Sequence, residues 1–302
     1  MLQRAIAPHS SYVDAALGTF EETLPQLESA AKRNTVFLYV DPYSVKGLRF
    51  DRMQRVFDQI RSSSSSVEVL MNFNVAIFMR WALAAVKRLE EIPSDDDIES
   101  LADDPRENIE RDELTAIAGG DYWLGIATNR SLSFDEKLKC FLDEYVQRML
   151  GSFRYVARFS VKQKYHHNVP KYILIFATRH RDGIRLMNDF MCQARRNFVN
   201  SEFNGAALFD LTPAEEEVDA DEIREAIVEI VTESEHPVTR PEIQLSLFSR
   251  GYFTRIKESE VNSAIGELLK LKKLRSSSGS TRINDETTLS IDGDQCLQQE
   301  LF

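Results

Sequence analysis

Apolar residues in this chain fall into short continuous or alternating runs, separated by longer stretches in which they recur every three to four positions. Tyr12–Leu17 reads as a short strand closed by Gly18. Phe20–Arg33 then carries Phe20, Leu24, Leu27 and Ala31 at helical spacing. Thr35–Val40 is an apolar strand. The stretch from Phe50 to about Ile60 places Met53, Val56, Phe57 and Ile60 on one helical face, Val67–Asn72 is the next strand and Val75–Leu89 the helix after it. Strands separated by helices imply parallel pairing and a layered α/β domain. Phe134–Leu150 has the spacing of an amphipathic helix. Phe153–Val161 and Lys171–Thr178 are strands joined only by Lys162–Pro170, too short for a crossover helix, so this pair is expected to be antiparallel. A long helix from about Gly183 to Phe203 is expected to close the domain.

Beyond a charged stretch at Thr212–Ala220 come three short helical patterns, Asp221–Glu233, Arg240–Arg250 and Lys257–Leu271. A strand–turn–strand follows, with Arg275–Thr281 as its turn. Three helices and a hairpin outline a winged helix. The expected organisation is an α/β domain over residues 1–211 with an acidic insertion at 90–111, a linker at 212–220, a winged helix at 221–291 and a flexible tail at 292–302. No period of 20–50 residues repeats, which excludes a solenoid.

Composition narrows the function classes. A 43% hydrophobic content in 302 residues supports a buried core. No apolar run approaches a membrane span, and the first eight residues are too short and polar for a signal peptide. Cys140, Cys192 and Cys296 lie far apart without metal-ligand spacing, which fits thiols in a reducing cytoplasm and indicates neither a disulfide framework nor a metal site. Net charge is −11, and residues 213–302 hold 10 Lys and Arg against 19 Asp and Glu. So acidic a C-terminal part opposes non-specific binding to phosphate backbones.

Candidate chemistry gathers at strand ends, where ligands sit in open α/β sheets. The Thr35–Val40 strand runs into Asp41-Pro42-Tyr43: a carboxylate, a residue that stops the strand, and an aromatic ring with a polar tip. An ordinary proline turn is the plain alternative. Asn72 ends the next strand and either lines the same crevice or forms a turn. Arg80 follows on the helix, as an anion contact or a surface ion pair. Arg179 and His180 close the last strand, His180 being suited to proton transfer near neutral pH. His166 and His167 sit in a polar turn among Lys162, Lys164 and Tyr165, a basic and aromatic cluster that reads as a nucleic-acid contact. In the winged helix, Glu258, Glu260, Asn262 and Ser263 are expected to face solvent on the would-be recognition helix. Lys270, Lys272, Lys273, Arg275 and Arg282 gather at its end and wing, as contacts to nucleic acid or to a partner protein.

Phe37–Tyr43, Glu68–Phe73 with Arg80, and Tyr172–His180 followed by Gly183 and Met187–Asp189 resemble the three-Cys-motif partner family. The resemblance covers roughly residues 11–290. It implies a partial Rossmann-like class I methyltransferase sheet, of strand order 3-2-1-4-5-7-6, in which Thr35–Val40 is the fourth strand, with a C-terminal winged helix. It further implies S-adenosylmethionine as cofactor, a radical-SAM-like protein bearing a three-cysteine motif as partner, and nucleic acid, DNA among them, as the target. Asp41, Pro42 and Tyr43 would hold the amine to be methylated, and Gly18, Thr19 and Phe20 would sit at the adenine-side loop. The chain has no GxG, and its first strand corresponds to the third of the family's sheet. Strands one and two are thus expected to be missing, leaving the edge of Thr35–Val40 open or paired with Tyr12–Leu17. The implied function is a methyltransferase-type domain inactive alone, with a non-enzymatic adaptor as the alternative. A gene fragment, a short paralogue and a partner-completed protein are all consistent with that pattern.

Overall fold

The structure, a computed structural model, describes residues 18, 20–32, 34–42, 45–61, 67–92, 109–161, 170, 172–203 and 218–292. The expected Tyr12–Leu17 strand, Thr19, Tyr43, the His166-His167 pair and most of the acidic insertion lie outside these residues. The chain divides into two compact units, the first holding the described residues through Arg179 and the second those from His180 onward.

The first unit begins with helix α1 (Phe20–Ala31), strand β1 (Val36–Val40), helix α2 (Phe50–Arg61), strand β2 (Val67–Phe73) and helix α3 (Val75–Ala85). Three further helices follow, α4 (Arg111–Ala118), α5 (Tyr122–Thr128) and α6 (Phe134–Leu150), and then strands β3 (Tyr155–Val161) and β4 (Tyr172–Thr178). The sequence reading includes neither α4 nor α5. The strands form one mixed sheet in the order β1-β2-β4-β3. β1 runs parallel to β2, as the intervening α2 requires, while β4 is antiparallel to both β2 and β3.

In β2 alternate residues Val67, Val69, Met71 and Phe73 are fully buried, the period-two pattern of a strand with one face on the core. They pack under α3 and α6, where aromatic rings fill the layer: Phe78 stacks on Phe141 at 4.2 Å and Phe73 on Tyr145 at 5.1 Å. α3 starts immediately after β2 because Asn74 caps it, its Oδ1 accepting from the Ile77 N–H at 3.1 Å. Asn74→Ala is expected to cost about 1 kcal/mol in urea denaturation, and Asn74→Ser to restore most of it.

The opposite face of β1 is open. Phe37 and Tyr39 are 53% and 52% exposed, and among the described residues only β2 pairs with β1. Among the described residues no helix is long and apolar enough to cross a membrane.

The second unit contains helix α7 (Arg181–Phe203), helix α8 (Ala220–Glu233), strand β5 (Val238–Thr239), helix α9 (Arg240–Leu247), helix α10 (Glu258–Lys270) and strands β6 (Leu274–Ser276) and β7 (Thr288–Ile291). The small sheet has the order β5-β7-β6, all antiparallel. Its core includes Ile227, Ile243, Val261, Ile265 and Leu289. α7 follows β4 directly and reads in sequence as the last helix of the α/β domain, yet its polar side chains bond within this second unit. Asn188, fully buried, donates to the Ile256 carbonyl at 2.8 Å and accepts from the Thr254 N–H at 2.7 Å.

Candidate functional site

Parallel register places Val40 beside Met71, so the next residues, Asp41 and Asn72, emerge side by side at the carboxyl ends of β1 and β2. Asn72 Nδ2 donates to Asp41 Oδ1 at 2.8 Å. Asn72 Oδ1 is buried and has no hydrogen-bond partner. Such an atom is costly to leave unmatched, so the corner is short of one donor.

Tyr39 precedes Asp41 by two residues and therefore stands on the same sheet face. Its hydroxyl is pushed above the usual tyrosine range, first by partial burial and then by the Asp41 carboxylate, which it also hydrogen-bonds. Tyr172, at the start of β4, adds to the same shift. The corner therefore combines one carboxylate, one amide and two tyrosine rings.

Pro42 ends β1 and folds back on the short turn Val45–Gly47, where a Cβ on Gly47 would meet the proline ring at 3.1 Å. Val45 and Leu48 beneath are buried, which anchors the turn. Tyr43 lies outside the described residues.

Other residues singled out in the sequence lie elsewhere. β4 is antiparallel to β2, with Leu174 opposite Asn72 and Ala177 opposite Val69. The end of β4 is thus at the opposite end of the sheet from Asp41. Thr178 there donates to Glu68 at 3.3 Å, and Arg179 follows it. His180 comes next in the chain and is exposed where the second unit opens. Arg80 is half-buried on α3. Strand direction is what separates Arg179 from the corner.

At Gly18, where the resemblance puts the adenine-side loop, a Cβ would lie 2.6 Å from Glu22 Oε2 on α1. A carboxylate there repels an anionic group and can accept from a hydroxyl. Among the described residues no group of three or more His, Cys, Asp or Glu side chains is placed to hold a metal ion.

In the second unit the face of α10 expected to be free is engaged at Glu258, Glu260 and Asn262, while Ser263 is exposed as expected. Glu258 and Glu260 do not face open solvent, because arginines of α7 pair with them. Arg185 reaches Glu258 at 3.0 Å and Arg196 reaches Glu260 at 2.8 Å. Arg185 is only 6% exposed and also holds Asp285 at 2.9 Å and Gln244 at 2.5 Å. Asn262 Oδ1 accepts from Arg240 at 3.2 Å. Burial alone would raise the Asp285 carboxyl, but hydrogen bonds from Arg185 and Arg240 outweigh it and hold that group below the usual carboxylate range. Lys270, Lys272, Lys273, Arg275 and Arg282 are exposed at the far end of α10 and beyond it. Arg275 Nε donates to Ser290 Oγ at 3.0 Å.

Comparison of the chain with protein-family models, with curated proteins and with solved structures finds no match.

Proposed function

We propose that the chain is a methyltransferase-type binding protein that recognises an amine-bearing planar group at the Asp41–Asn72 corner and does not itself transfer a methyl group. The observation that carries this reading is the 2.8 Å bond from Asn72 to Asp41, which fixes two acceptors at the ends of adjacent parallel strands. Asn72 keeps its unmatched Oδ1 beside the Asp41 carboxylate, a pair suited to an N–H₂ group. Tyr39 supplies a ring on the same face for a flat ligand.

The strand order supports the ancestry. β1, β2, β4 and β3, with β4 antiparallel to its neighbours, follow the 4-5-7-6 part of the class I methyltransferase sheet. Within the second unit, α8, α9 and α10 with the small sheet agree with a winged helix. Its α10 surface is engaged by α7. This favours an adaptor that docks on a protein, such as the three-cysteine partner the resemblance implies, over one that reads DNA bases through that helix.

The test is a pair of titrations on the full chain. Ligand-detected magnetic resonance should show binding of adenosine and cytidine, weaker signals for inosine and uridine, and loss of both with Asp41→Ala or Asn72→Ala. Calorimetry with S-adenosylmethionine should give no heat of binding. Micromolar binding of that cofactor, or equal signals from all four nucleosides, would sink the reading.

A further inference from the structure

β1 is an edge of the four-stranded sheet, and among the described residues only β2 pairs with it. An edge strand offers a row of backbone N–H and C=O groups to whatever lies beside it, and native edges are blunted by charge, proline or a bulge. Val36-Phe37-Leu38-Tyr39-Val40 contains no charged residue, no proline and no glycine. Phe37 and Tyr39 are exposed on one face of the strand, while Val40 is buried and Leu38 packs against the core from the other.

The strand also reads almost alike in both directions. A valine stands at each end, an aromatic ring lies next in from each, and Leu38 is at the centre. Two copies of β1 set antiparallel about a two-fold axis at Leu38 therefore meet like with like. Val36 falls opposite Val40 of the second copy, Phe37 opposite its Tyr39, and Leu38 opposite Leu38. Residues directly opposite one another share a face, so two Phe–Tyr pairs form on the side that is open, with Cβ atoms about 5 Å apart. The match continues past the strand. Exposed Thr35 falls opposite Asp41 of the second copy, a hydroxyl donor against a carboxylate. Pro42, which has no N–H to give, then ends the ladder.

We propose that two copies of this chain pair through β1, antiparallel and centred on Leu38, joining their four-stranded sheets into one continuous sheet. The contact is isologous: the same strand serves both copies, and the pair closes on itself. It covers the open edge and half of the exposed aromatic surface beside it without any further element. Phe37 of the second copy would then stand next to Tyr39, widening the ring surface beside the Asp41–Asn72 corner. The pairing rests on the strand and not on what the corner binds, and its test uses no ligand.

A five-residue edge is a small interface, so the association should be reversible. Sedimentation velocity on the full chain, from about 1 to about 200 μM, should show monomer passing to dimer. Phe37→Lys combined with Tyr39→Lys sets ammonium groups against each other across the axis. It should raise the dimer dissociation constant at least about tenfold. Phe37→Lys combined with Tyr39→Glu faces opposite charges in the same register and should regain most of that loss. Both positions are exposed, so circular dichroism should show each variant folded. Register is read separately, by mixing a Phe37→Cys chain with a Tyr39→Cys chain under mild oxidation. Peptide mapping should find position 37 joined to position 39, about tenfold faster than either chain cross-links to itself. A chain that stays monomeric throughout, or a dimer indifferent to the paired lysines, would overturn the proposal. So would protection of the outward-facing β1 amides from hydrogen exchange in a monomer, since the chain itself would then be covering the edge.

Discussion

Glu91→Gln is expected to lower the unfolding free energy of the first unit by about 3 kcal/mol, because it strips the counter-ion from two buried cations. Glu91 stands on the short turn Leu89–Glu91 that follows α3. Lys137, on α6, is 1% exposed and its ammonium is paired with Glu91. The Arg88 side chain is 9% exposed and reaches the same carboxylate at 2.8 Å, while also donating to the carbonyls of Ala127 and Thr128 at 3.2 and 2.6 Å. The carbonyls satisfy much of the Arg88 hydrogen-bonding capacity but bring no charge. A glutamine keeps the shape of the turn and one acceptor oxygen, so the loss would report the charge. Lys137→Met should cost less, since Glu91 is 25% exposed and keeps Arg88. The double variant should recover part of the single Glu91→Gln loss.

The pH dependence follows from the same geometry. The Lys137 hydrogen bond is the largest influence on the Glu91 carboxyl. Burial opposes it, and the charges of Lys137, Arg88 and Arg130 add to it, leaving the carboxyl below the usual range. A folded value below the unfolded one means that the contribution is fully present above the unfolded value. It is then lost as pH falls through the folded value. Urea midpoints measured from pH 7 down to pH 3 should therefore fall more for the parent chain than for Glu91→Gln, and parallel curves would refute the assigned role.

Glu91 also marks what the sequence can and cannot reveal. It lies at the edge of a strongly acidic stretch, and runs of carboxylates read as solvated. Nothing local indicates that a lysine 46 residues later will be buried beside it. The same blind spot recurs at Glu258 and Glu260. Helical spacing correctly separates Val261, Ile265 and Leu268 as core, but it cannot say that α7 brings Arg185 and Arg196 over the other face. α7 itself reads as part of the α/β domain because it follows β4, and only its long-range polar contacts assign it to the second unit. The two-residue strand β5 is shorter than any pattern can mark. α4 and α5 hide between glycines and turn formers.

Where periodicity and connection length decide, the reading holds. α6 spans Phe134–Leu150 as its spacing predicts, and the β3–β4 pair is antiparallel as its short link requires. Asp41 and Asn72 were each legible as strand-end residues, but it is the register of Val40 beside Met71 that brings them together. Their mutual hydrogen bond was not legible, because it depends on side-chain torsions.

Gly119→Ala is the second substitution expected to have a large effect, a loss of about 3 kcal/mol, from two separate causes. Gly119 closes α4 with φ +73° and ψ 21°, a left-handed conformation that an L side chain adopts at a cost of roughly 1 kcal/mol. The space is also taken. A Cβ there would lie 2.4 Å from Phe50 Cδ1 and 2.7 Å from its Cγ. Phe50 cannot easily yield, because it is 2% exposed and sits edge-on against Tyr145 at 5.1 Å, within the aromatic layer under the sheet. Gly251 separates the two causes. Its φ is +93° and nothing lies within 4 Å of the position a Cβ would take, so Gly251→Ala should cost only the backbone part, about 1 kcal/mol. Phe50→Leu removes the ring edge that the new methyl meets, so Gly119→Ala combined with Phe50→Leu should lose less than the sum of the two single changes. Strict additivity in urea denaturation would show that the ring is not the obstacle. A Gly119→Ala loss no larger than that of Gly251→Ala would show that the backbone conformation alone sets the cost.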